Sequence, residues 1–445
     1  MRAFVLALAV TLSALPSAAQ SAPDFSGVDA LIQDSLAQIG GGAVVRVVRA
    51  DTVVYERAYG AFAVDEAVEI ASATKWVSGA VLLSLVDSGD LALDDRLADF
   101  FPTLTGVKRS ITIQQLFALT SGITGNASNT CVNAASRTLD SCVADILAQP
   151  LSYAPGEGFW YGGASMHVAA RAAEVATGRA WVDLFEERIA GPLGMTQTAY
   201  ISSTNPWIGG GLVSSAPDYT AFLQMVAAGG VYEGQRVLSQ AAIDAMLADQ
   251  SGVESGVPVL FSPFSRYAGG DPDVPTDRVG YGVGVWREQL GADGALRQAS
   301  SPGAFGFSPW VDLDRGLGGA LVVRDSGPDV FWTYLELKRR IGIALDAVAS
   351  GSDAPPVSTV ARIDALWPNP VAQSAQLTLS LSAPGHVQLA ICDVLGRPVA
   401  VIADGAFRAG RHALPVDVGD LAGGVYLAVL RLDGRPVTQR PMTVR

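Results

Sequence analysis

The order of strand and helix patterns along the chain constrains its fold more than any other feature. Short runs of β-forming residues occur at the two ends of one long region, over residues 43–48, 52–58, 282–286, 305–311 and 319–323. The first two runs are joined by a polar turn at Ala50-Asp51 and predict a hairpin. Between the two ends, apolar residues follow helical spacing, and a last helix is expected over 330–348. This order predicts an α+β domain over 24–348 whose sheet is closed by its first and last strands.

A second, smaller unit is predicted at 361–445. Its short alternating apolar runs are separated by Gly or Asp turns, which is typical of an all-β, immunoglobulin-like sandwich. The segment 349–360 is rich in Ser, Ala, Asp and Pro and is interpreted as a linker.

The first 19 residues have the layout of a signal peptide. Arg2 precedes an apolar run over 4–15, and small residues follow, so we place cleavage after Ala19. A membrane anchor is the alternative, but the run is shorter than the roughly 20 residues that span a bilayer. No later run is long and apolar enough to span, so the mature protein is expected to be exported and soluble.

Charge and cysteine usage narrow the possibilities further. The net charge of -13 argues against nucleic acid and anionic membranes as partners, because both require a basic face. Cys131 and Cys142 lie in one polar segment of a chain expected to be exported, which favours a local disulfide. Cys392 lies in an alternating strand pattern and is interpreted as a small buried apolar residue.

The Ser72-Ala73-Thr74-Lys75 stretch at the start of an apolar helix can carry nucleophilic chemistry. Positions i and i+3 share a helix face, so the Ser72 hydroxyl and the Lys75 amine can meet. A buried lysine with a lowered pKa can take the serine proton. The alternative is that Ser72 and Thr74 only cap the helix while Lys75 faces solvent.

The histidines argue against a Ser-His-Asp triad. Only His167, His386 and His412 occur, the last two in the predicted sandwich, and the chain has no Gly-x-Ser-x-Gly motif. His167 is expected to line a helix face. A metal site built from His and Cys is not expected, and neither is an organic cofactor.

The run IASATKWVSGAVLLSLVDSGDLALDDRLADFFP, followed by ITIQQLFALTSGI, resembles the serine β-lactamase and penicillin-binding-protein superfamily, in the branch of class C enzymes, D,D-peptidases and related esterases. The resemblance covers about residues 24–348. It implies a β-lactamase/transpeptidase-like domain, an antiparallel sheet with a helical subdomain, in which Ser72 is the nucleophile and Lys75 its base.

Two further elements follow from the resemblance. APGEGFWYGGASMHVAARAAEVATG is similar to the context of the family's Tyr-x-Asn, which implies that Tyr161 shuttles the proton and that Gly163 replaces a substrate-orienting Asn. Ser301-Pro302-Gly303 aligns with the family's Lys-Thr-Gly, which implies that Ser301 and Gly303 line the substrate and that the Ala304 and Ser72 N–H groups form the oxyanion hole. The alternatives are a core tyrosine at 161 and a simple turn at 302–303.

The glycine-rich stretch at 209–211 resembles a wall of the family site but is interpreted as a tight turn.

In the C-terminal unit, LWPNPV, DVLGRPV and LAGGVYLAVL resemble the sorting domain of the type IX secretion system. This implies export through the periplasm to the cell surface or medium, with the secretion machinery as partner. A carbohydrate- or protein-binding module is the alternative for this domain.

Together these features predict a secreted serine hydrolase acting on carboxylic esters or related small-molecule or peptide-like acyl substrates. A β-lactamase or D,D-peptidase/D-aminopeptidase is one alternative. An inactive binding protein on the same scaffold is the other, because Gly163 and Ser301 depart from the family pattern.

Overall fold

The structure is a computed structural model of the 445-residue chain. It describes residues 22–124, 131–262, 279–291, 293–325, 328–349, 361–367, 371–381, 383–393, 397–419, 421–432 and 435–444. The predicted signal peptide lies outside the described residues, as does nearly all of the predicted linker. No helix within the described ranges is long and apolar enough to cross a membrane.

Helices make up most of the middle of the first unit. The α-helices are α1 Ser26–Ser35, α2 Thr74–Ser88, α3 Leu97–Phe100, α4 Ile113–Phe117, α5 Leu139–Ala148, α6 Ala164–Thr177, α7 Trp181–Phe185, α8 Gly191–Leu193, α9 Ala216–Ala227, α10 Gln240–Leu247 and α11 Pro328–Ala349. Short 3-10 helices cover Ala71–Ala73 and Gly106–Ser110, and a π-helical turn covers Glu186–Ala190.

The strands of this unit come from its two ends and from short pairs between them. They are β1 Gly42–Arg49, β2 Thr52–Gly60, β3 Val68–Glu69, β4 Phe159–Trp160, β5 Ala199–Tyr200, β6 Leu212–Ser214, β7 Val231–Tyr232, β8 Gln235–Arg236, β9 Val259–Phe261, β10 Gly280–Tyr281, β11 Trp286–Leu290, β12 Leu296–Ser300, β13 Ser308–Asp312 and β14 Leu317–Val322. Among the described residues, the main sheet is antiparallel in the order β10-β11-β12-β13-β14-β1-β2.

The pairing of β1 with β14 confirms the prediction that the two ends of the unit close one sheet. β1 is almost entirely buried, because helices cover both faces of the sheet. On one face, α9 packs Leu223 against Gly318, and on the other, the Tyr334 ring of α11 contacts Trp310. The predicted α+β class is therefore correct.

Helix α2 is the central helix of the unit. Its residues from Thr74 to Leu85 are all buried, so it has no solvent face for most of its length. It ends at Gly89, whose φ of +77° gives the left-handed cap that a glycine adopts without strain.

The C-terminal unit is a β-sandwich with its own apolar core. Its strands are β15 Ala361–Trp367, β16 Ser374–Leu381, β17 Gly385–Cys392, β18 Pro398–Phe407, β19 Gly410–Asp417, β20 Gly424–Leu432 and β21 Arg435–Val444. One sheet has the order β15-β16-β19 and the other β18-β17-β20-β21. The described residues thus confirm the predicted all-β sandwich, and Cys392 is a free, buried cysteine as expected.

Candidate active site

Ser72 lies in the 3-10 turn that leads into α2. The residue before it, Ala71, has a φ of +44°, a left-handed conformation that costs a non-glycine residue energy. The turn is held from two sides: the Tyr219 hydroxyl donates to the Ala73 carbonyl at 2.7 Å, and the Leu212 N–H donates to the Thr74 hydroxyl at 3.1 Å. These bonds fix the main chain that presents the Ser72 hydroxyl.

Lys75 is fully buried one helical turn after Ser72. Its Nζ donates to Ser72 Oγ at 3.0 Å and to the Gly209 carbonyl at 2.6 Å. Both partners are neutral, so neither supplies a negative charge to balance the desolvation of an ammonium group. Burial lowers the pKa of Lys75 to about 7. A large share of this amine is therefore neutral near pH 7 and can accept a proton.

The turn at 209–211 places a backbone carbonyl, that of Gly209, beside the Lys75 amine. The turn interpretation is correct, because the Gly210 and Gly211 N–H groups both bond to the Trp207 carbonyl. A Cβ at Gly209 would lie 3.0 Å from the Gly163 Cα and 3.2 Å from Lys75 Nζ. Two glycines, at 163 and 209, therefore let two backbones meet beside the amine, and a carbonyl takes the place of a side-chain partner for Lys75.

Tyr161 lies on the other side of the Lys75 amine. The Lys75 Nζ is 4.7 Å from the centre of the Tyr161 ring, a cation–π distance. Burial raises the pKa of Tyr161 to about 12, and hydrogen bonds with Ser72 and Trp286 act in the opposite direction. The structure thus brings together Ser72, Lys75 and Tyr161, which lie up to 89 positions apart in the sequence.

The Ser301-Pro302-Gly303 stretch packs against the main chain around the nucleophile. Ser301 is fully buried, and its hydroxyl donates to the Ser72 carbonyl at 3.1 Å. A Cβ at Gly303 would lie 2.1 Å from the Ile70 carbonyl oxygen, so only a glycine allows this approach. The Ser301 hydroxyl therefore contacts the backbone of Ser72 in this structure.

Ala304 follows in an exposed turn. Its backbone N–H and that of Ser72 donate no hydrogen bond to any group in the described part of the chain. With respect to the described residues, both N–H groups are thus free of protein acceptors, as donors to an oxyanion must be.

His167 lies in the wall of the site and not in contact with the Ser72 hydroxyl. It is fully buried in α6, with Nδ1 3.2 Å from the Gly163 carbonyl and Nε2 3.0 Å from the Val132 carbonyl. Burial is the largest influence and lowers the pKa of His167 to about 4. The expectation that this histidine lines a helix face is confirmed.

The disulfide predicted between Cys131 and Cys142 is present, with an S–S distance of 2.02 Å. The Asn205 side chain donates to the carbonyls of Cys131 and Ala134, at 2.8 and 3.0 Å. The cross-linked segment therefore supports the stretch that leads to the Gly209 turn.

Comparisons with known proteins find matches to both units of the chain. A family model described as Beta-lactamase matches residues 28–341, and one described as Secretion system C-terminal sorting domain matches residues 365–443. The solved structure "putative beta-lactamase from Bacteroides dorei DSM 17855" is 32% identical, covers 71% of this chain and 99% of its own, and superposes with a TM-score of 0.61.

One curated protein and one further solved structure show more distant similarity to the chain. "Protein Rv1367c" of Mycobacterium tuberculosis is 27% identical over 308 residues, which cover 56% of this chain and 75% of that protein. The structure of "EstCE1, a hydrolase with promiscuous acyltransferase activity" shares the fold, with a TM-score of 0.56 and 17% identity over 71% of this chain and 97% of its own.

Proposed function

Because the chain belongs to the beta-lactamase family of serine hydrolases, we propose that it is an exported acyl hydrolase that works through an acyl-enzyme on Ser72. One observation carries the proposal: the buried Lys75 amine lies 3.0 Å from the Ser72 hydroxyl and has a pKa of about 7. A weak nucleophile beside a base that is neutral at working pH is the arrangement that nucleophilic catalysis requires.

In the proposed acylation step, Ser72 Oγ bonds to the acyl carbon and its proton passes to Lys75 Nζ. The bond from the acyl carbon to the leaving oxygen then breaks. Tyr161 gives its proton to that oxygen and regains one from the Lys75 ammonium. Water hydrolyses the acyl-enzyme by the same transfers in reverse order, so every proton is accounted for.

The negative charge on the tetrahedral intermediate is assigned to the Ser72 and Ala304 N–H groups. The Ser301 hydroxyl supports this arrangement, since it bonds the Ser72 carbonyl and so helps to hold that residue's backbone. Losing one such donor typically costs about 2.7–4 kcal/mol of transition-state stabilisation.

Esters are the proposed substrates. β-Lactams and D-Ala-D-Ala peptides carry a carboxylate beside the scissile carbonyl, which a cation commonly binds. Here Pro302 brings no charge and no N–H, and the Ser301 hydroxyl is bonded to the Ser72 carbonyl. The nearby Arg297 is paired with Asp293 and Asp314, at 2.7 and 2.8 Å. The fold also carries the hydrolase EstCE1.

An active-site probe tests whether the protein is an enzyme. A fluorophosphonate should label the wild type and fail to label Ser72→Ala. Lys75→Met keeps the aliphatic stem but removes the base, so we expect a folded protein without turnover. A folded wild type that is neither labelled nor active would favour the binding-protein alternative, which the glycine at position 163 motivates.

A substrate panel tests the ester preference. p-Nitrophenyl acetate and butyrate, a chromogenic cephalosporin and D-amino-acid amides are compared on one purified sample. We expect a higher kcat/KM for the short esters than for the cephalosporin. The reverse order would favour the β-lactamase alternative, and fast turnover of the amides would favour the peptidase alternative.

Export is assigned to the C-terminal sandwich, on the basis of its match to a secretion sorting domain. A chain truncated after residue 351 should keep esterase activity and fail to reach the cell surface. Loss of activity in the purified truncated chain would contradict this separation of roles.

A further inference from the structure

The Gly209 carbonyl determines which way the Lys75 amine faces. A carbonyl oxygen only accepts hydrogen bonds, so a neutral amine must direct one of its N–H groups to Gly209, at 2.6 Å. With that N–H held, the single lone pair of the amine is left to face the Ser72 hydroxyl, at 3.0 Å. The position of the Gly209 carbonyl therefore sets the orientation that the proposed proton transfer needs.

Ser78 holds the main chain that leads to this carbonyl. It lies one helical turn after Lys75, is fully buried, and its hydroxyl donates to the Ile208 carbonyl at 2.8 Å. A serine inside a helix commonly bonds a carbonyl three or four positions back in its own helix, as Ser84 of α2 does with Val81 at 2.7 Å. The Ser78 hydroxyl instead joins α2 to another part of the chain.

Two further side chains fix the direction of the Ser78 hydroxyl. The Trp181 indole N–H donates to the Tyr200 hydroxyl at 2.9 Å, and the Tyr200 hydroxyl lies 2.7 Å from Ser78 Oγ. An indole nitrogen only donates and a carbonyl only accepts. Because the Ser78 proton goes to the Ile208 carbonyl, the Tyr200 proton must go to Ser78. The order of donation, from indole to phenol to serine to carbonyl, is therefore fixed from both ends.

The contacts of Ser78 join α2 to both sides of the turn at 209–211. Ile208 directly precedes the turn. Tyr200 belongs to β5 and pairs with Leu212 of β6, the strand that begins directly after the turn. Loss of the Ser78 hydroxyl would therefore remove a contact of α2 on both sides of the turn at once.

We propose that Ser78 is a positioning residue for the proposed reaction: its hydroxyl holds the main chain before the 209–211 turn against α2 and so keeps the Gly209 carbonyl facing the Lys75 amine. This inference rests on the proposed function and extends it to a side chain that acts only through the backbone of the turn. Ser72, Lys75 and Ser78 then follow one another at intervals of three residues, as the nucleophile, its base and the support for the base's acceptor.

Direct titration of Lys75 tests this role. The chain has three lysines, so a sample labelled with ¹³C at lysine Cε gives three signals, and Lys75→Met assigns one of them. In Ser78→Ala the Lys75 ammonium should lose part of its hydrogen bond to the Gly209 carbonyl, and a hydrogen bond stabilises a charged donor more than a neutral one. We therefore expect the pKa of Lys75 to fall below its value of about 7, by about 0.5–1.

Ester hydrolysis gives a second measurement. In Ser78→Ala the plateau of kcat/KM for p-nitrophenyl acetate should fall about tenfold, because a displaced carbonyl leaves the amine less well oriented. The acid limb of the pH profile should move to lower pH together with the pKa of Lys75. The neighbouring Tyr161 and His167 have pKa values of about 12 and about 4, so they do not titrate in that range. A loss of packing alone would lower the plateau without moving the limb.

Ser84→Ala is the matched control. Ser84 is also a buried serine of α2, but its hydroxyl donates within the helix, and it lies about 13 Å beyond Lys75 along the helix axis. We expect the wild-type Lys75 pKa and the wild-type plateau in this variant. A wild-type Lys75 pKa in folded Ser78→Ala, or an equal fall in Ser84→Ala, would overturn the inference.

Tyr200→Phe carries the test if Ser78→Ala does not fold. This variant keeps the ring but removes the donor that directs the Ser78 proton to Ile208, so the hydroxyl is free to bond within its own helix. We expect the pKa of Lys75 to fall in the same direction, by about 0.3. In that case an unchanged Lys75 pKa in folded Tyr200→Phe would overturn the inference.

The proposed function would fail in a different way, through folded wild-type protein that hydrolyses no ester. The lysine titration needs no turnover, so it would still decide whether Ser78 acts on the Lys75 amine.

Discussion

Acidification is expected to stop acylation by protonating Lys75 while the rest of the site is unchanged. Burial next to two neutral partners lowers the Lys75 pKa to about 7, so below that pH the ammonium form cannot take the Ser72 proton. The kcat/KM for p-nitrophenyl acetate should be flat above the pKa and fall about tenfold per pH unit below it. At about pH 5 roughly one amine in a hundred is neutral, and the rate should be about a hundredth of the plateau.

Neighbouring groups do not titrate in this window. The pKa of His167 is lowered to about 4 and that of Tyr161 is raised to about 12. The pH profile of kcat/KM should therefore fall only on its acid side and should not be bell-shaped. Tryptophan fluorescence over the same pH range checks that the protein stays folded. A flat profile, or a limb above about pH 9 as for an exposed lysine, would refute the role of Lys75 as a buried base.

Three stability and geometry predictions follow from other contacts. Lys338 and Glu288 form a buried ion pair, so Lys338→Met should lower the unfolding free energy by about 3–5 kcal/mol in urea titrations, and adding Glu288→Gln should recover much of it. Gly303→Ala would push a Cβ into a carbonyl oxygen, and kcat/KM should fall about a hundredfold by ester assay; a near-normal rate would show that the backbone can move. Replacing Cys131 and Cys142 with serine should cost about 3 kcal/mol in the same titrations, and no loss would mean that the cross-link restricts the unfolded chain little.

The sequence predicted the elements with strong local patterns and missed those without one. Helix α2 and the β1–β2 hairpin follow from apolar spacing and turn signals. Strand β12, Leu296–Ser300, was not expected, because Leu-Arg-Gln-Ala-Ser has no clear alternation. The strand expected at 282–286 begins only at Trp286, since the left-handed Gly284 packs against α2.

In the candidate site, too, the contacts with a local sequence pattern were predicted and those without one were not. The i, i+3 spacing predicts that Ser72 and Lys75 meet, and the structure has them in contact. The carbonyl of Gly209 lies 134 positions from Lys75, and a main-chain oxygen has no residue-type signature, so the sequence could indicate only a turn there. The contact between the Trp286 and Tyr161 rings was not predicted for a related reason, because a tryptophan in a strand pattern is interpreted first as a core residue.

The pairing of β1 with β14 also limits when the main sheet of the domain can be completed. Val44 and Val322 are partners although 278 positions separate them, so the β1–β2 hairpin cannot join the rest of the sheet until nearly the whole domain has been synthesised. Contacts between such distant residues form slowly, and until then the edge of β1 that faces away from β2 lacks its partner strand. If the chain is exported as proposed, a late-closing sheet leaves time for transport before folding. The sorting domain lies after β14, so it is made only once every strand of that sheet exists.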